Sequence, residues 1–181
     1  MLTFRKATYK DALAVAELHT ISWQENYRGS FSDYYLDNEV LPNRIEVWQE
    51  RLGNSPENQY VILVEDKGEL LGFVCAYLNN DGTYLDNLHV STKAKGKGIG
   101  SKLMGRLTEE VMKHSTKGMY LWVLENNKEA ITFYTNLKGK ALDKVVGDDI
   151  GDTNFIKIRY VWQDLEELQA NISAKLTKYE Y

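Results

Sequence analysis

The chain has 181 residues, of which 43% are hydrophobic and 27% charged, which is typical of a globular protein with a sizeable core. Lys and Arg total 22 against 26 Asp and Glu, and the net charge of −4 argues against a broad nucleic-acid-binding face. The single cysteine, Cys75, excludes an internal disulfide and favours a reducing compartment. No apolar run has the length of a signal peptide core or a membrane span. We therefore expect one cytoplasmic domain over residues 1–181, with neither nucleic acid nor a membrane as partner.

The first half of the chain predicts a strand, two helices and a hairpin. A short strand at residues 2–7 precedes a helix within 8–27, whose apolar residues recur near helical spacing at Leu13, Ala16, Leu18 and Ile21. An aromatic-rich arm at 29–59 then carries a second helical pattern, formed by Ile45, Trp48 and Leu52. Two β-branched runs within 60–78 flank Gly68, which predicts a β-hairpin.

The second half predicts four strands and three helices. Strands are expected at residues 83–90 and 119–124, and near 141–146 and 155–162. The strand at 119–124 is fully apolar and is therefore expected to be central in the sheet. A turn-rich segment at 147–154 separates the last two strands. A helix follows the first of these strands, with an apolar stripe of Ile99, Leu103, Leu107 and Val111. The next helix, within 126–137, has Asn126 as its expected N-cap.

The last predicted helix, at about residues 164–178, has an apolar stripe formed by Leu165, Leu168, Ile172 and Leu176. This stripe could cover the sheet within the chain or bind a second subunit, and we prefer a homodimer. Strands and helices mix without strict alternation along the chain. That order predicts an α/β (α+β) fold, in which a mixed sheet has helices on both faces.

A glycine-rich loop joins the strand at 83–90 to its helix. Gly96, Gly98 and Gly100 allow successive backbone N–H groups to converge on an anion at the helix N-terminus, and Lys93, Lys95 and Lys97 add positive charge. A phosphate or pyrophosphate is the expected ligand, and a flexible connection without a ligand is the alternative. The spacing matches neither a dinucleotide fingerprint nor a nucleotide P-loop, which disfavours a nucleotide-binding protein.

The loop resembles the acyl-CoA-binding loop of the GNAT superfamily of N-acetyltransferases, with Lys95 in place of the usual Arg or Gln before Gly96, Gly98 and Gly100. A second motif of the same superfamily follows: a strand, a loop Asn, an Ala three residues later, then an aromatic residue and Tyr. The residues that match it are Val123, Asn127, Ala130, Phe133 and Tyr134.

This resemblance implies a mostly antiparallel sheet of six to seven strands, acetyl-CoA as the acyl donor, and no metal. Main-chain groups of Leu88, His89 and Val90 would bind the acetyl carbonyl and the pantetheine arm. The pyrophosphate would lie on the backbone of Lys95, Gly96, Lys97, Gly98, Ile99, Gly100 and Ser101, with Asn127, Ala130 and Tyr134 also at the cofactor.

The resemblance also suggests catalytic residues. Tyr134 corresponds to the tyrosine that donates a proton to the departing thiolate, although it lies on an apolar helix face where packing is the alternative role. For the general base, Asp86 is the first candidate and His89 the second; ordinary structural roles are the alternative for both. Strand alternation would place them on opposite faces unless a bulge intervenes. His19 and His114 are expected to be exposed on helices.

The acceptor would bind against the early arm, where Trp23, Tyr27 and Tyr34 are candidate contacts. Nearby acidic residues, Glu25, Asp33 and Asp37, would suit an amine with an apolar or cationic portion. The alternative is that the aromatic residues only attach the arm to the sheet.

The resulting hypothesis is an N-acetyltransferase that transfers acetyl from acetyl-CoA directly to a primary amine of a small molecule or peptide. Cys75 lies in an apolar strand, where a thiol is usually inert, so no acyl-enzyme is expected. The alternative is a non-catalytic module that binds or senses acyl-CoA.

Overall fold

A computed structural model of the chain describes residues 1–114, 116–147 and 155–177. Seven strands form one sheet in the order β1-β2-β3-β4-β5-β7-β6. The strands are β1 Leu2–Lys6, β2 Gln59–Asp66, β3 Glu69–Asn79, β4 Gly82–Val90, β5 Met119–Leu124, β6 Lys140–Gly147 and β7 Phe155–Trp162. The α-helices are α1 Ala12–Asn26, α2 Val40–Asn54, α3 Ile99–Val111, α4 Lys128–Asn136 and α5 Leu165–Leu176, and a π-helical turn, Tyr35–Glu39, leads into α2. Residues 148–154 of the predicted turn and Lys178 of the predicted last helix lie outside the described residues.

The sheet is antiparallel at every neighbouring pair except β4 and β5. Helices α1 and α2 cover one face and α3, α4 and α5 the other, as the alternation of β2 illustrates. Val61 and Leu63 pack with α1 and α2, whereas Ile62 and Val64 pack with α3 and α5. The predicted α/β fold, with a mixed and mostly antiparallel sheet between two helical layers, is therefore confirmed.

The β2–β3 hairpin also has the predicted turn. Lys67 and Gly68 connect the strands, and both have positive φ, at 51° and 82°. Two consecutive residues with positive φ characterise the type I′ turn, whose twist matches that of paired strands.

Helix α1 forms where the sequence predicts it, but only Ala16 and Leu18 of its predicted apolar pattern are buried. Leu13 and Ile21 are each 54% exposed, whereas Ala16 and His19 are fully buried. His19 was expected at the surface. Its Nδ1 instead accepts a hydrogen bond of 3.0 Å from the Trp48 indole N–H, and its ring packs against Phe73. These partners come from α2 and β3, so the local apolar pattern of α1 does not reveal the burial.

The N-cap of α4 also differs from the prediction by one residue. Asn127, not Asn126, caps the helix by accepting a hydrogen bond from the backbone N–H of Ala130 at 3.1 Å. Asn126 instead donates its side-chain amide to the hydroxyl of Ser30. This contact attaches the loop before α4 to the segment after α1.

Helix α5 uses its apolar stripe within the chain. Leu165, Leu168 and Ile172 are buried in the core that also contains α3. The two helices approach closely at Gly105, where an added Cβ would lie 3.2 Å from Ile172. Intramolecular packing is thus one role of the stripe. None of the described helices combines the length and apolarity needed to cross a membrane.

The α5 packing predicts the effect of truncating its central leucine. Leu168→Ala should lower the free energy of unfolding by about 2–5 kcal/mol, because the substitution leaves a cavity in a closed core. Leu142→Ala, at a side chain that is 54% exposed, is the control and should change it by less than about 0.5 kcal/mol. Urea denaturation measures both. A change of oligomeric state with nearly unchanged unfolding energy would instead identify the stripe as a subunit interface.

The buried His19 predicts a loss of stability in acid. Burial, and to a lesser extent nearby His89, lowers the pKa of His19 well below its ordinary 6.5. Below pH 6.5 the unfolded chain therefore binds a proton that the folded chain excludes. The free energy of unfolding should then fall by up to about 1.4 kcal/mol per pH unit from this group. Urea denaturation between pH 7 and pH 5 should show a shallower decline for His19→Gln than for the wild type; equal slopes would contradict this origin.

Candidate active site

A cleft opens in the middle of the sheet where β4 and β5 diverge. The two strands pair only at Thr83 with Met119 and at Tyr84 with Tyr120. Beyond these pairs, β4 continues to Val90 bonded to β3 alone. The resulting cavity has a volume of about 670 Å³ and reaches from the α3–α4 side of the sheet to the α1–α2 side. This volume lies in the range of small-molecule and cofactor sites.

A β-bulge in β4 positions the candidate bases. Asn87 pairs with Cys75 and Leu85 with Ala76, so Asp86 is the extra residue of the bulge. Arg51 of α2 donates from Nη1 to Asp86 at 2.6 Å and to Asn87 at 2.9 Å. Because the bulge interrupts the alternation, Asp86 and His89 lie on the same face of the sheet. Both line the cleft.

The backbone of β4 presents an unpaired edge to the cleft. The Ser91 N–H donates to the Leu71 carbonyl of β3 at 2.8 Å. Strand alternation then directs the N–H and C=O groups of Leu88 and Val90 toward the cleft and those of His89 toward β3. Leu88 and Val90 thus offer hydrogen-bonding groups to an extended ligand, whereas His89 contributes its side chain.

The glycine loop surrounds the N-terminus of α3. Gly96 and Gly98 both have φ of +74°, a left-handed conformation that favours glycine. Within the described chain, no N–H group from Gly96 to Ser101 has a protein acceptor. Free donors at a helix terminus are typical of sites that bind anions. Lys95 pairs with Glu129 at 2.9 Å, and the side chain of Lys97 is exposed, outside the cavity lining.

Helix α4 places Tyr134 at the cleft, with Ala130 and Asn127 beside it. The Tyr134 ring packs against Tyr160 and Trp162 and is largely buried. Its hydroxyl has no hydrogen-bond partner in the described part of the chain. Burial raises the pKa of Tyr134 above its ordinary value, so the phenol is protonated at neutral pH.

His89 lies on the opposite side of the cleft from the glycine loop. Its Nδ1 is 2.7 Å from the Ser22 hydroxyl of α1, and its ring centroid is 4.5 Å from that of His19. Burial, with smaller contributions from Arg44 and Lys95, lowers the pKa of His89 to about 3. The imidazole is therefore neutral at neutral pH.

An aromatic wall lines the α1–α2 side of the cleft. Two residues of this wall, Trp23 and Tyr27, were predicted from the sequence and do line the cleft. Phe31 stacks on Trp23 with ring centroids 5.4 Å apart. Burial, with a smaller contribution from Asp86, raises the pKa of Tyr27 to about 12. Tyr34 does not line the cleft, because its side chain points to solvent and is 68% exposed. Phe31, which was not predicted as a contact, lines the cleft instead.

The acidic residues expected near the acceptor do not line the cleft. Asp33 and Asp37 pair with Arg28 on the exposed surface of the arm. Glu25 accepts a hydrogen bond of 2.6 Å from the Thr92 hydroxyl. The expectation that Glu25, Asp33 and Asp37 lie at the acceptor is therefore wrong, because these carboxylates have partners outside the cavity.

Several further residues of the cleft were not predicted from the sequence, among them Ser22, Phe31, Arg44, Lys157 and Lys175. The local sequence around each of them indicates only a helix, a strand or a loop. Lys175 reaches the cleft from α5, with its Nζ 4.6 Å from the centroid of Phe133. No local motif marks such residues, since only the folded chain brings them together.

The chain is similar to known proteins in sequence and in fold. Among curated proteins, the chain is 23% identical over 176 residues to the uncharacterized N-acetyltransferase YuaI of Bacillus subtilis (strain 168), a match covering 93% of this chain and 97% of that protein. Among solved structures, the PaiA N-acetyltransferase of Thermoplasma acidophilum in complex with coenzyme A has a TM-score of 0.73 at 20% identity, covering 90% of this chain and 99% of that one.

A second solved structure, the ribosomal-protein-S18-alanine N-acetyltransferase of Escherichia coli, has a TM-score of 0.64 at 18% identity, covering 89% of this chain and 92% of that one. These structural likenesses concern the fold. The family model described as acetyltransferase (GNAT) family matches residues 13–139, which include the cleft strand β4, the glycine loop and Tyr134. The chain belongs to the GNAT family of acetyltransferases and is an acyltransferase.

Proposed function

We propose that this enzyme transfers the acetyl group of acetyl-CoA directly to a primary amine of a small molecule or peptide, with both substrates bound at once. The observation that carries the proposal is the convergence, in one cavity, of the free edge of β4, the glycine loop and the Tyr134 hydroxyl. A donor that enters from α3 and an acceptor that enters from α1 would meet at the gap between β4 and β5.

The donor side of the cleft suits coenzyme A. The N–H groups from Gly96 to Ser101 would bind the pyrophosphate, and Lys95 and Lys175 add positive charge near it. The amides of the pantetheine arm would pair with the free backbone groups of Leu88 and Val90, as an added strand pairs with a sheet edge. The coenzyme A complex of the similar PaiA protein supports this cosubstrate.

The reaction needs one bond made and one broken. The amine nitrogen attacks the thioester carbonyl, the tetrahedral oxyanion collapses, and the carbon–sulfur bond breaks to release thiolate. A fixed backbone donor of β4 would stabilise the oxyanion, because it is oriented before the charge develops. The thiolate receives a proton and the amine loses one, so the products are the acetylated amine and coenzyme A.

Tyr134 is the proposed proton donor to the thiolate. Its hydroxyl has no hydrogen-bond partner among the residues that the structure describes, and it lines the cavity on a ring held by packing. Burial raises the pKa of this phenol, but the same dry environment also makes a thiolate more basic, so proton transfer between them stays feasible. Asp86 and His89, on the acceptor face, are the proposed candidates to take the proton from the amine.

The glycine loop can be tested by charge. Acetyl-CoA should bind the wild type, and Gly98→Glu should weaken that binding by about tenfold or more, because a carboxylate would repel the pyrophosphate. Gly68→Glu is the matched control: Gly68 has φ of +82° with open space around it, so it imposes similar backbone strain away from the cleft. Isothermal titration calorimetry on folded variants measures the effect. A wild type that does not bind acetyl-CoA would exclude this donor.

The Tyr134 hydroxyl can be tested by its removal. Tyr134→Phe should lower kcat by about 10²–10⁴-fold on any amine that the wild type acetylates, since general acid catalysis contributes in that range. Its affinity for acetyl-CoA should change little, because the ring stays packed. Tyr160→Phe, which removes a hydroxyl bonded to Thr135 outside the cavity lining, is the control. Unchanged turnover in Tyr134→Phe would remove the acid assignment.

A further inference from the structure

Arg44 differs from the other arginines of the chain. All six arginines lie in the described residues, and five have a carboxylate within ion-pair distance; Arg44 has none among the residues described. The five paired arginines are Arg5, Arg28, Arg51, Arg106 and Arg159. A guanidinium without a counter-charge is unremarkable at an exposed surface, but Arg44 is partly buried in the wall of the cleft.

The guanidinium of Arg44 is held in position by its neighbours. Its central carbon lies 4.7 Å from the centroid of the Trp23 ring, a cation–π distance. Its Nε donates to the Asn43 side-chain oxygen at 3.0 Å, and Nη2 donates to the same oxygen. The Nη1 group has no partner in the described part of the chain. One edge of the fork is therefore anchored while donors remain free for a ligand.

Burial of this charge carries a cost that the described protein groups offset only in part. Desolvation is the largest influence on the pKa of Arg44 and lowers it; Tyr35 and Asp86 oppose this shift without reversing it, and neither forms an ion pair with Arg44. A partly buried charge is tolerated where a bound anion supplies the missing partner. The position of Arg44 in the cavity wall makes a ligand the natural source of that anion.

The charges around Arg44 favour an anionic ligand over a cationic one. Asp86, the nearby carboxylate on this face, is already paired with Arg51 at 2.6 Å. His89 is neutral, and no other acidic side chain lines the α1–α2 side of the cleft within the described residues. The described groups of this side therefore carry a net positive charge, contributed by Arg44.

We propose that Arg44 binds an oxyanion carried by the acceptor, so that the acceptor is a small amine bearing a carboxylate or a phosphate, such as an amino acid, rather than a polyamine. This inference rests on the proposed acetylation of an amine in the same cleft. The planar guanidinium of Arg44 suits two parallel hydrogen bonds to such a group. The aromatic wall of Trp23, Tyr27 and Phe31 would pack against the rest of the acceptor.

Acceptors that differ only in the anionic group test this assignment. Phenylalanine is compared with phenethylamine, lysine with cadaverine and O-phosphoethanolamine with ethanolamine, and thiol release gives kcat/KM for each. In the wild type, the anionic member of a pair should be favoured by about tenfold or more. Arg44→Gln should bring the ratio close to one, and Arg44→Lys should restore part of it, because charge returns without the fork. The larger ratio identifies carboxylate or phosphate as the preferred oxyanion.

Arg28→Gln is the matched control, since Arg28 pairs with Asp33 of the same arm outside the cavity lining, and it should leave the ratio unchanged. Equal rates within every pair, or preference for cadaverine, would overturn the oxyanion site while leaving acetyl transfer intact. A ratio that persists in a folded Arg44→Gln would also overturn it.

A binding measurement separates this inference from the proposed function. N-acetylphenylalanine and N-acetylphenethylamine are titrated by calorimetry into protein saturated with coenzyme A. Tighter binding of the carboxylate in the wild type, lost in Arg44→Gln, would support the oxyanion site even if no amine were acetylated, and only the transfer proposal would then fail. Binding that shows neither carboxylate preference nor dependence on Arg44 would overturn the site.

Discussion

The unpaired edge of β4 is the constraint on which the rest of the site depends. A strand inside a sheet normally bonds to a neighbour on each side, and buried backbone groups left without partners cost free energy. Here β4 pairs with β5 at only two positions and then leaves it. The junction is fixed by the hydrogen bond of 2.8 Å from Thr83 to the carbonyl of Gly118, a glycine whose added Cβ would lie 2.4 Å from the Trp162 carbonyl. Beyond this junction the strands stay apart, and the free edge of β4 is open to the amides of the proposed coenzyme A.

The divergence of β4 and β5 also divides the cleft into two chemically different halves. On the α3–α4 side, backbone donors and lysines surround the apolar groove beneath Tyr134, which suits a long anionic cosubstrate. On the α1–α2 side, an aromatic wall meets the fixed guanidinium of Arg44. The bulge at Asp86 connects the halves, because it turns Asp86 toward Arg51 while the following strand keeps its free edge toward the gap. One irregularity in β4 thus sets the positions of Asp86 and of the free edge that follows it.

Local sequence was sufficient for much of the fold and for the donor half of the site. The α3 stripe, the β2–β3 turn and the glycine loop depend on residues close together in the chain, so their patterns are readable directly. The acceptor half depends on contacts between distant elements. The burial of His19 requires Trp48 and Phe73, and the isolation of Arg44 is a property of its surroundings. Tyr34 failed as a candidate for the same reason, since the path of the arm brings Phe31 inward instead.

The acceptor half bears on how the amine loses its proton. An alkyl amine with a pKa of about 10 is neutral in only about one molecule in a thousand at pH 7. A nearby guanidinium and a dry wall both disfavour the ammonium form. In the proposed reaction, a cleft in which Arg44 has no counter-charge among the described residues and Asp86 is paired with Arg51 would therefore favour the neutral amine that can attack. A neutral His89 adds no opposing charge but can still accept a hydrogen bond. The same positive field that would hold the acceptor's oxyanion would therefore also lower the pKa of its ammonium group. The base on this face would then need to remove a proton from a stronger acid than a free alkylammonium ion.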